Sequence, residues 1–291
     1  MMGACREELH EIRTEDGGTF LALKSLGEGE LKAILEAHRE NSDPDRFLKK
    51  RMGTVVTRIP LPPHAAAGLQ ASPEAVVKEA PLSWRRRALR FLGIPSPFSG
   101  DFAKVRRLEA MGFPAPRTLA ASLRSLGKTE FLVTEFLRAG VALRDLTWCG
   151  SSAIEDPVEL ESLFSELGAW LRKVHDRGVW HRDLKTGNIM VRREASGPRE
   201  FILVDLVAVR FFRRSLGARR RARNLGQVLD LPGRFDSLAR RPLLEAYAGA
   251  APAGRDLERL VDRAVRARRR YRKRKCGFAY VDQEHSSGAK P

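Results

Sequence analysis

One run constrains this chain more than any other: His175-Asp176-Arg177-Gly178-Val179-Trp180-His181-Arg182-Asp183-Leu184-Lys185-Thr186-Gly187-Asn188-Ile189-Met190. It is answered downstream by Phe201-Ile202-Leu203-Val204-Asp205-Leu206. The first run reads as a helix end, a tight turn, a short loop and a strand. The second reads as an apolar strand that delivers one carboxylate. A lone charge at the end of a buried strand is costly, and a cation is the simplest compensation. Asp183 and Asn188 share one loop, five positions apart, with Lys185 between them. Carboxylate and amide oxygens are hard ligands that suit Mg²⁺. Two such oxygens, one further Asp and one Lys are the parts that phosphoryl transfer needs. The bland alternative is a chance loop between two core strands, and the simultaneous match of several mechanistic positions argues against it.

Composition narrows the company such a site can keep. The 291 residues suffice for one large or two small domains, and 43% hydrophobic content can bury a sizeable core. A net charge of +17 and a pI near 10.5 predict a polyanionic partner: nucleotide, phosphorylated glycan, anionic lipid or nucleic acid. Cys5, Cys149 and Cys276 are scattered with no C-x-x-C pair, which implies neither a disulfide framework nor a zinc site and suits a reducing cytoplasm. Met1 to Arg13 carries both signs of charge and no apolar core, so no signal peptide is expected. No apolar run approaches the roughly 18 residues of a spanning helix.

Along the chain, residues 1–27 read as a lead-in and 28–40 as a helix with Leu31, Ile34 and Leu35 on one face. Residues 47–58 read as strand, turn, strand, with Gly53 at a turn whose backbone N–H groups could cover phosphates. Ala75 to Glu79 is a short β-branched strand carrying Lys78. Trp84 to Leu92 is a basic segment, broken by Pro95 and Pro97. A helix from about Asp101 to Met111 follows, with Ser99 as its expected cap. Phe131 to Leu137 reads as a strand entering a Gly turn, with Glu135 and Leu137 at a possible nucleotide hinge. The strongest helical pattern spans 157–177, started by Asp156-Pro157 and ended by Gly178. His175 is expected to be structural, capping its end next to the loop. Asn224 to Leu231 and residues 253–270 are further helices, and 271–291 reads as a disordered basic or polar tail.

His181-Arg182-Asp183 through Asn188 fits the H-R-D-x-x-x-x-N loop position for position. With Asp205, and with Lys78 on an earlier strand, the chain resembles the protein-kinase-like superfamily. The frame Gly112-Phe113-Pro114-Ala115-Pro116, the 201–206 strand and the arginine cluster after it look like the bacterial lipopolysaccharide (heptose/Kdo) kinase family. The similarity covers roughly residues 45–250. It implies an α+β, two-lobed fold: an N-terminal extension over 1–44, an antiparallel-sheet N-lobe with one main helix over 45–137, and a mostly helical C-lobe over 138–270. It implies ATP and Mg²⁺ as cofactors and a phosphorylated glycan or glycolipid acceptor, used at the inner face of the cytoplasmic membrane. By position, Asp183 would be the catalytic base, and Asn188 and Asp205 the metal ligands. Lys185 would stabilise the moving phosphoryl group, His181 and Arg182 would brace the loop, and Lys78 would hold nucleotide phosphates. Asp101, rather than Glu109, would pair with Lys78.

The chain departs from protein kinases in three places: it has no G-x-G-x-x-G, no D-F-G and no A-P-E. Two other readings stand beside the leading one. A Ser/Thr protein kinase would need a peptide-docking segment after Asp205, where this chain is short and arginine-dense. A basic pseudokinase scaffold or nucleic-acid binder would fit the charge, but Asp183, Asn188 and Asp205 are all present, and nucleic acid is not the expected partner. The arginines form three clusters: 85–90, 213–223 and 263–275. The middle one is expected to border the acceptor, and the outer two to touch anionic lipid.

Overall fold

Runs of β-branched and apolar residues punctuated by short turns dominate the first half of the chain. The computed structural model describes residues 8–15, 17–51, 53–63, 73–125, 127–147, 154–193, 197–231, 233–249 and 255–276. The chain divides into two compact units, Met1–Arg138 and Ala139–Pro291.

In the first unit, strands β1 (Leu9–Arg13), β2 (Thr19–Leu23), β3 (Phe47–Arg51), β4 (Thr54–Pro60), β5 (Glu74–Pro81), β6 (Thr118–Arg124) and β7 (Thr129–Glu135) form one sheet. Their spatial order is β1-β2-β6-β7-β5-β4-β3, and every neighbouring pair is antiparallel. Within the lead-in expected over 1–27, β1 and β2 therefore form a hairpin annexed to the sheet through β2 and β6. Among the described residues, helices α1 (Glu28–Glu40), α2 (Trp84–Phe91) and α3 (Asp101–Ala110) accompany the sheet, α1 being the helix expected over 28–40. Gly100, not Ser99, is the N-cap of α3 and supplies no side chain. The Ser99 hydroxyl instead donates to the Ser96 carbonyl at 2.7 Å.

The second unit is mostly helical. Strand β8 (Gly140–Ala142) leads into α4 (Leu143–Thr147) and the long α5 (Pro157–Asp176). Asp156 caps α5 by accepting from the Val158 N–H at 3.0 Å, with proline at the first helical position. Leu160, Leu163, Phe164, Leu167, Leu171 and Val174 form its buried stripe, as the 3.6-residue period requires. Strands β9 (Val179–His181) and β12 (Val209–Phe211) pair with each other, while β10 (Ile189–Arg193) lies between β8 and β11 (Arg199–Leu203). Helices α6 (Ala218–Val228), α7 (Gly233–Ala248) and α8 (Arg255–Cys276) complete the unit. Helix α8 runs six residues past the end expected at 270, so the expected tail begins inside it. Residues 277–291 lie outside the described part. The result is an α+β chain whose sheet-rich part precedes a helical part. Among the described residues, no helix is long and apolar enough to cross a membrane.

Candidate active site

The loop that carries Asp183 begins where α5 must stop. Gly178 takes a left-handed φ of +74°, and a Cβ there would sit 2.4 Å from the Phe212 carbonyl oxygen. Only glycine fits this turn. It sends the chain into β9 and then into the loop at His181.

His181 is buried and its tautomer is fixed by its neighbours. Its Nε2 lies 3.0 Å from the Val204 carbonyl and must donate, while Nδ1 accepts from the Asp183 backbone N–H at 3.2 Å. Burial, the dominant cause, holds its pKa below the usual histidine value, although Val204 and the nearby Asp205 oppose this. A neutral His181 therefore ties the Asp183 loop to the strand that delivers Asp205. Arg182 braces through its backbone, its N–H bonding the Ala208 carbonyl at 3.0 Å, while its side chain is exposed.

The Asp183 side chain is half exposed, and its Oδ2 receives Lys185 Nζ at 2.9 Å. Asn188 is buried, and its Nδ2 donates to the Asp183 carbonyl at 2.7 Å. That bond spends the amide donor on the loop and leaves the Oδ1 acceptor for another group. Asn188 and Asp205 flank the open end of the β10–β11 hairpin, where the Val204 N–H bonds the Asn188 carbonyl at 3.1 Å. Asp205 adopts left-handed φ 59° and ψ 53°, a conformation that costs a non-glycine residue energy and often marks a functional position. The second unit thus brings Asp183, Lys185, Asn188 and Asp205 onto one loop and one strand end.

Two residues that the sequence reading missed hold this loop. From α6, Asn224 Nδ2 donates to the His181 carbonyl at 2.6 Å and Gln227 Nε2 to the Arg182 carbonyl at 3.0 Å. Gln227 Oε1 accepts from the Leu184 N–H at 3.0 Å and from Asn224 at 3.0 Å. Their only sequence signal is two amides among the arginines of α6. His175, expected as a helix cap, instead packs inward: Nδ1 meets the Tyr247 hydroxyl at 2.9 Å and Nε2 the Asn224 side chain at 3.2 Å. Burial, reinforced by Arg221, lowers its pKa to about 4. Burial likewise raises Tyr247 to about 12.

The arginine clusters separate by role. Arg221 is structural, bonding Asp176 at 2.6 Å, the Leu216 carbonyl at 2.6 Å and Tyr247 at 2.9 Å. Arg220 stacks over Phe212, 4.4 Å from its centroid, and both Arg220 and Arg223 lie over Trp180. The third cluster does not simply face outward. Arg268 of α8 has Nε 2.9 Å from Asp230 Oδ2 and Nη1 4.0 Å from Asp183 Oδ1.

In the first unit, Lys78 lies on the interior strand β5, opposite Val56 and Leu132, with its Nζ 5.7 Å from the Phe98 ring centroid. Asp101 is buried and pairs with Lys104 of its own helix at 2.8 Å. Glu135 accepts the Arg117 backbone N–H on its side chain at 3.0 Å, and Leu137 is buried. Gly53 has φ +76° at the β3–β4 turn, whose other residue, Met52, lies outside the described part.

No curated protein matches the chain. Among solved structures, WaaP in complex with acyl carrier protein is similar over 83% of this chain and 96% of that chain, at 18% identity and a TM-score of 0.49. The sequence profile of the lipopolysaccharide kinase (Kdo/WaaP) family matches residues 86–232, which carry the whole Asp183 loop and Asp205. This chain belongs to that lipopolysaccharide kinase family and is an ATP-dependent phosphotransferase acting on a sugar hydroxyl.

Proposed function

We propose that the chain transfers the γ-phosphoryl group of ATP to a hydroxyl of a membrane-associated glycan, an inner-core sugar of lipopolysaccharide. The observation that carries this reading is the Asp183 loop: one carboxylate and one lysine side by side, with the Asn188 amide oriented by its own loop. In this reading Asp183 accepts the proton of the acceptor hydroxyl as that oxygen attacks the γ-phosphorus. The bond to the bridging oxygen breaks and ADP leaves. Lys185 follows the charge on the transferring group. Asn188 Oδ1 and the Asp205 carboxylate are the right donor types for Mg²⁺, which when bound would neutralise charge on the nucleotide phosphates. In this reading Lys78, on β5, holds the nucleotide phosphates.

The membrane half of the proposal rests on α2. Arg90 turns inward against Glu130 at 2.5 Å, while Trp84, Phe91 and Leu92 are 74%, 82% and 73% exposed. Arg85, Arg86 and Arg87 are exposed beside them. An aromatic and aliphatic patch rimmed by arginine fits an anionic lipid interface.

The test is ATP turnover with deacylated lipopolysaccharide as acceptor, beside a generic protein substrate. Asp183→Asn should lose at least about a thousandfold in kcat while keeping ATP affinity, since the base meets the acceptor and not the nucleotide. Near-normal turnover would remove Asp183 from its role. Preferred use of the protein substrate would redirect the acceptor assignment.

A further inference from the structure

The family match ends at residue 232, yet α8, beyond it, places an arginine beside the proposed base. Val261 and Val265 are buried on the inner stripe of α8, and Arg268 occupies the next position of that stripe. A leucine would fill such a position with no charge to compensate. An arginine there must have its charge answered.

Asp230, just past the end of α6, answers it, with a side chain only 3% exposed. Arg268 Nε stands 2.9 Å from Asp230 Oδ2, an ion pair by distance whose alignment makes no hydrogen bond. The neighbouring Arg269 lies 4.0 Å from the other Asp230 oxygen. Close helix packing sets this up. A Cβ on Gly226 of α6 would fall 2.7 Å from the Ala264 Cβ and 3.1 Å from the Val265 backbone N, so glycine opposite alanine lets α8 approach.

The guanidinium consequently has one edge toward Asp230 and the other toward the reacting side. Its Nη1 is 4.0 Å from Asp183 Oδ1, too long for a hydrogen bond. Lys185 holds the opposite oxygen, Oδ2. Lys185 already supplies a cation for the transferring phosphoryl group. A second, planar and anchored cation beside the other oxygen suits a second anion, and arginine offers carboxylates and phosphates a two-pronged fork. Arg263, Arg266 and Arg270 of the same helix are exposed, so the lipid-facing role expected for the whole cluster does not extend to Arg268.

We propose that Arg268 is an acceptor-binding, specificity-determining residue. Its free edge receives an anionic group of the acceptor, a carboxylate or a phosphate ester, next to the hydroxyl that Asp183 deprotonates. This rests on the reading of Asp183 as the base.

The experiment offers deacylated lipopolysaccharide in three forms: intact, stripped of phosphate esters with hydrofluoric acid, and with its carboxylates reduced to alcohols. The wild type should lose about tenfold or more in kcat/KM on one stripped form, mostly through KM, as a charge-assisted contact requires. The form that suffers tells carboxylate from phosphate. Arg268→Gln should be slow on the intact acceptor and discriminate between it and that form by less than about twofold. Arg268→Lys keeps the charge facing Asp230 but not the fork, so it should fold and retain part of the discrimination. Gly226→Ala leaves Arg268 in place chemically but pushes α8 outward, and should erode discrimination in the same direction. Equal use of all three forms by the wild type, or undiminished discrimination by Arg268→Gln, would overturn the proposal. Asp183→Asn is run alongside: if it is inactive while Arg268→Gln still discriminates, the Arg268 proposal fails alone, and if it turns over normally, the underlying reading of the base fails.

Discussion

Asn224 and Gln227 show how little of an active loop's rigidity has to come from the loop itself. Three of its backbone groups, the His181 and Arg182 carbonyls and the Leu184 N–H, are satisfied by these two amides on α6. Removing one partner leaves a buried polar group unpaired, which costs about 1–3 kcal/mol. Gln227→Leu should therefore lower the unfolding free energy from urea melts by that amount and reduce kcat more than KM, because the proposed base Asp183 loses its fixed position. Unchanged kcat beside a lowered midpoint would make Gln227 purely structural. The contrast in legibility is physical. The proximity of Asp183, Lys185 and Asn188 could be read because their relation is local and carried by spacing along one loop. Asn224 and Gln227 could not, because their partners lie more than 40 positions away, at separations of 43 and 45 residues. The structural place of His175 was legible but its partners were not, for the same reason: Tyr247 and Asn224 come from elements folded onto it from far down the chain. It yields a pH prediction. An unfolded histidine titrates near 6.5, whereas buried His175 titrates at about 4. The unfolded state thus takes up a proton first as pH falls. The His175 contribution is intact above about pH 6.5 and is lost between there and about pH 4, on the order of 3 kcal/mol in all. Urea melts at pH 7 and pH 4.5 should show this fall, and His175→Gln should flatten it.

At the scale of elements, α2 and the β1–β2 hairpin carry the lesson. The sequence marks 84–92 as basic, and basic segments usually turn their charges outward. The exception in α2 is Arg90, which Glu130 on β7, forty positions away, draws inside, while Phe91 and Leu92 stay outside. Breaking that buried pair should be severe: Arg90→Ala strands the Glu130 carboxylate and should cost about 3–5 kcal/mol. Replacing Phe91 and Leu92 with Ser should leave the melting temperature unchanged or higher, since neither is packed in the fold, yet weaken binding to anionic vesicles. A fall in thermal stability together with normal vesicle binding would instead mark the pair as structural. The hairpin was illegible for a different reason. Two short strands bury little by themselves, and only the register of Phe20 to Ala22 against Ala120 to Ser122 makes them part of the sheet. By contrast α5 could be read almost to the residue, because its cap, first-turn proline, apolar period and terminating glycine all point the same way.

The whole molecule carries a charge of +17, and the structure shows that this excess is not one feature. Arg90 is buried against Glu130, Arg221 is tied to the half-exposed Asp176, and Arg268 is held by Asp230 along one edge. The arginines left for a surface include Arg85 to Arg87 on α2 and Arg263, Arg266 and Arg270 on α8. Composition alone could announce a polyanionic partner, but it could not sort anchoring arginines from docking ones, because that division depends on which acidic side chains fold against them. The sorting has a measurable consequence for the proposed lipid surface. Exposed cations near a membrane contribute about 1 kcal/mol each, and salt screens them over about 8 Å at physiological ionic strength. Buried apolar contacts in the same interface are nearly indifferent to salt. Vesicle binding should therefore split into two parts in co-sedimentation with anionic and zwitterionic vesicles across a salt series. Arg85→Gln, Arg86→Gln and Arg87→Gln together should flatten the salt dependence. The Phe91 and Leu92 replacements should weaken binding by a similar factor at every salt concentration. Arg268→Gln should change neither, because its guanidinium faces Asp230 and Asp183 rather than the surface. A salt slope that survives the triple replacement and disappears with Arg268→Gln would move the membrane contact from α2 to α8.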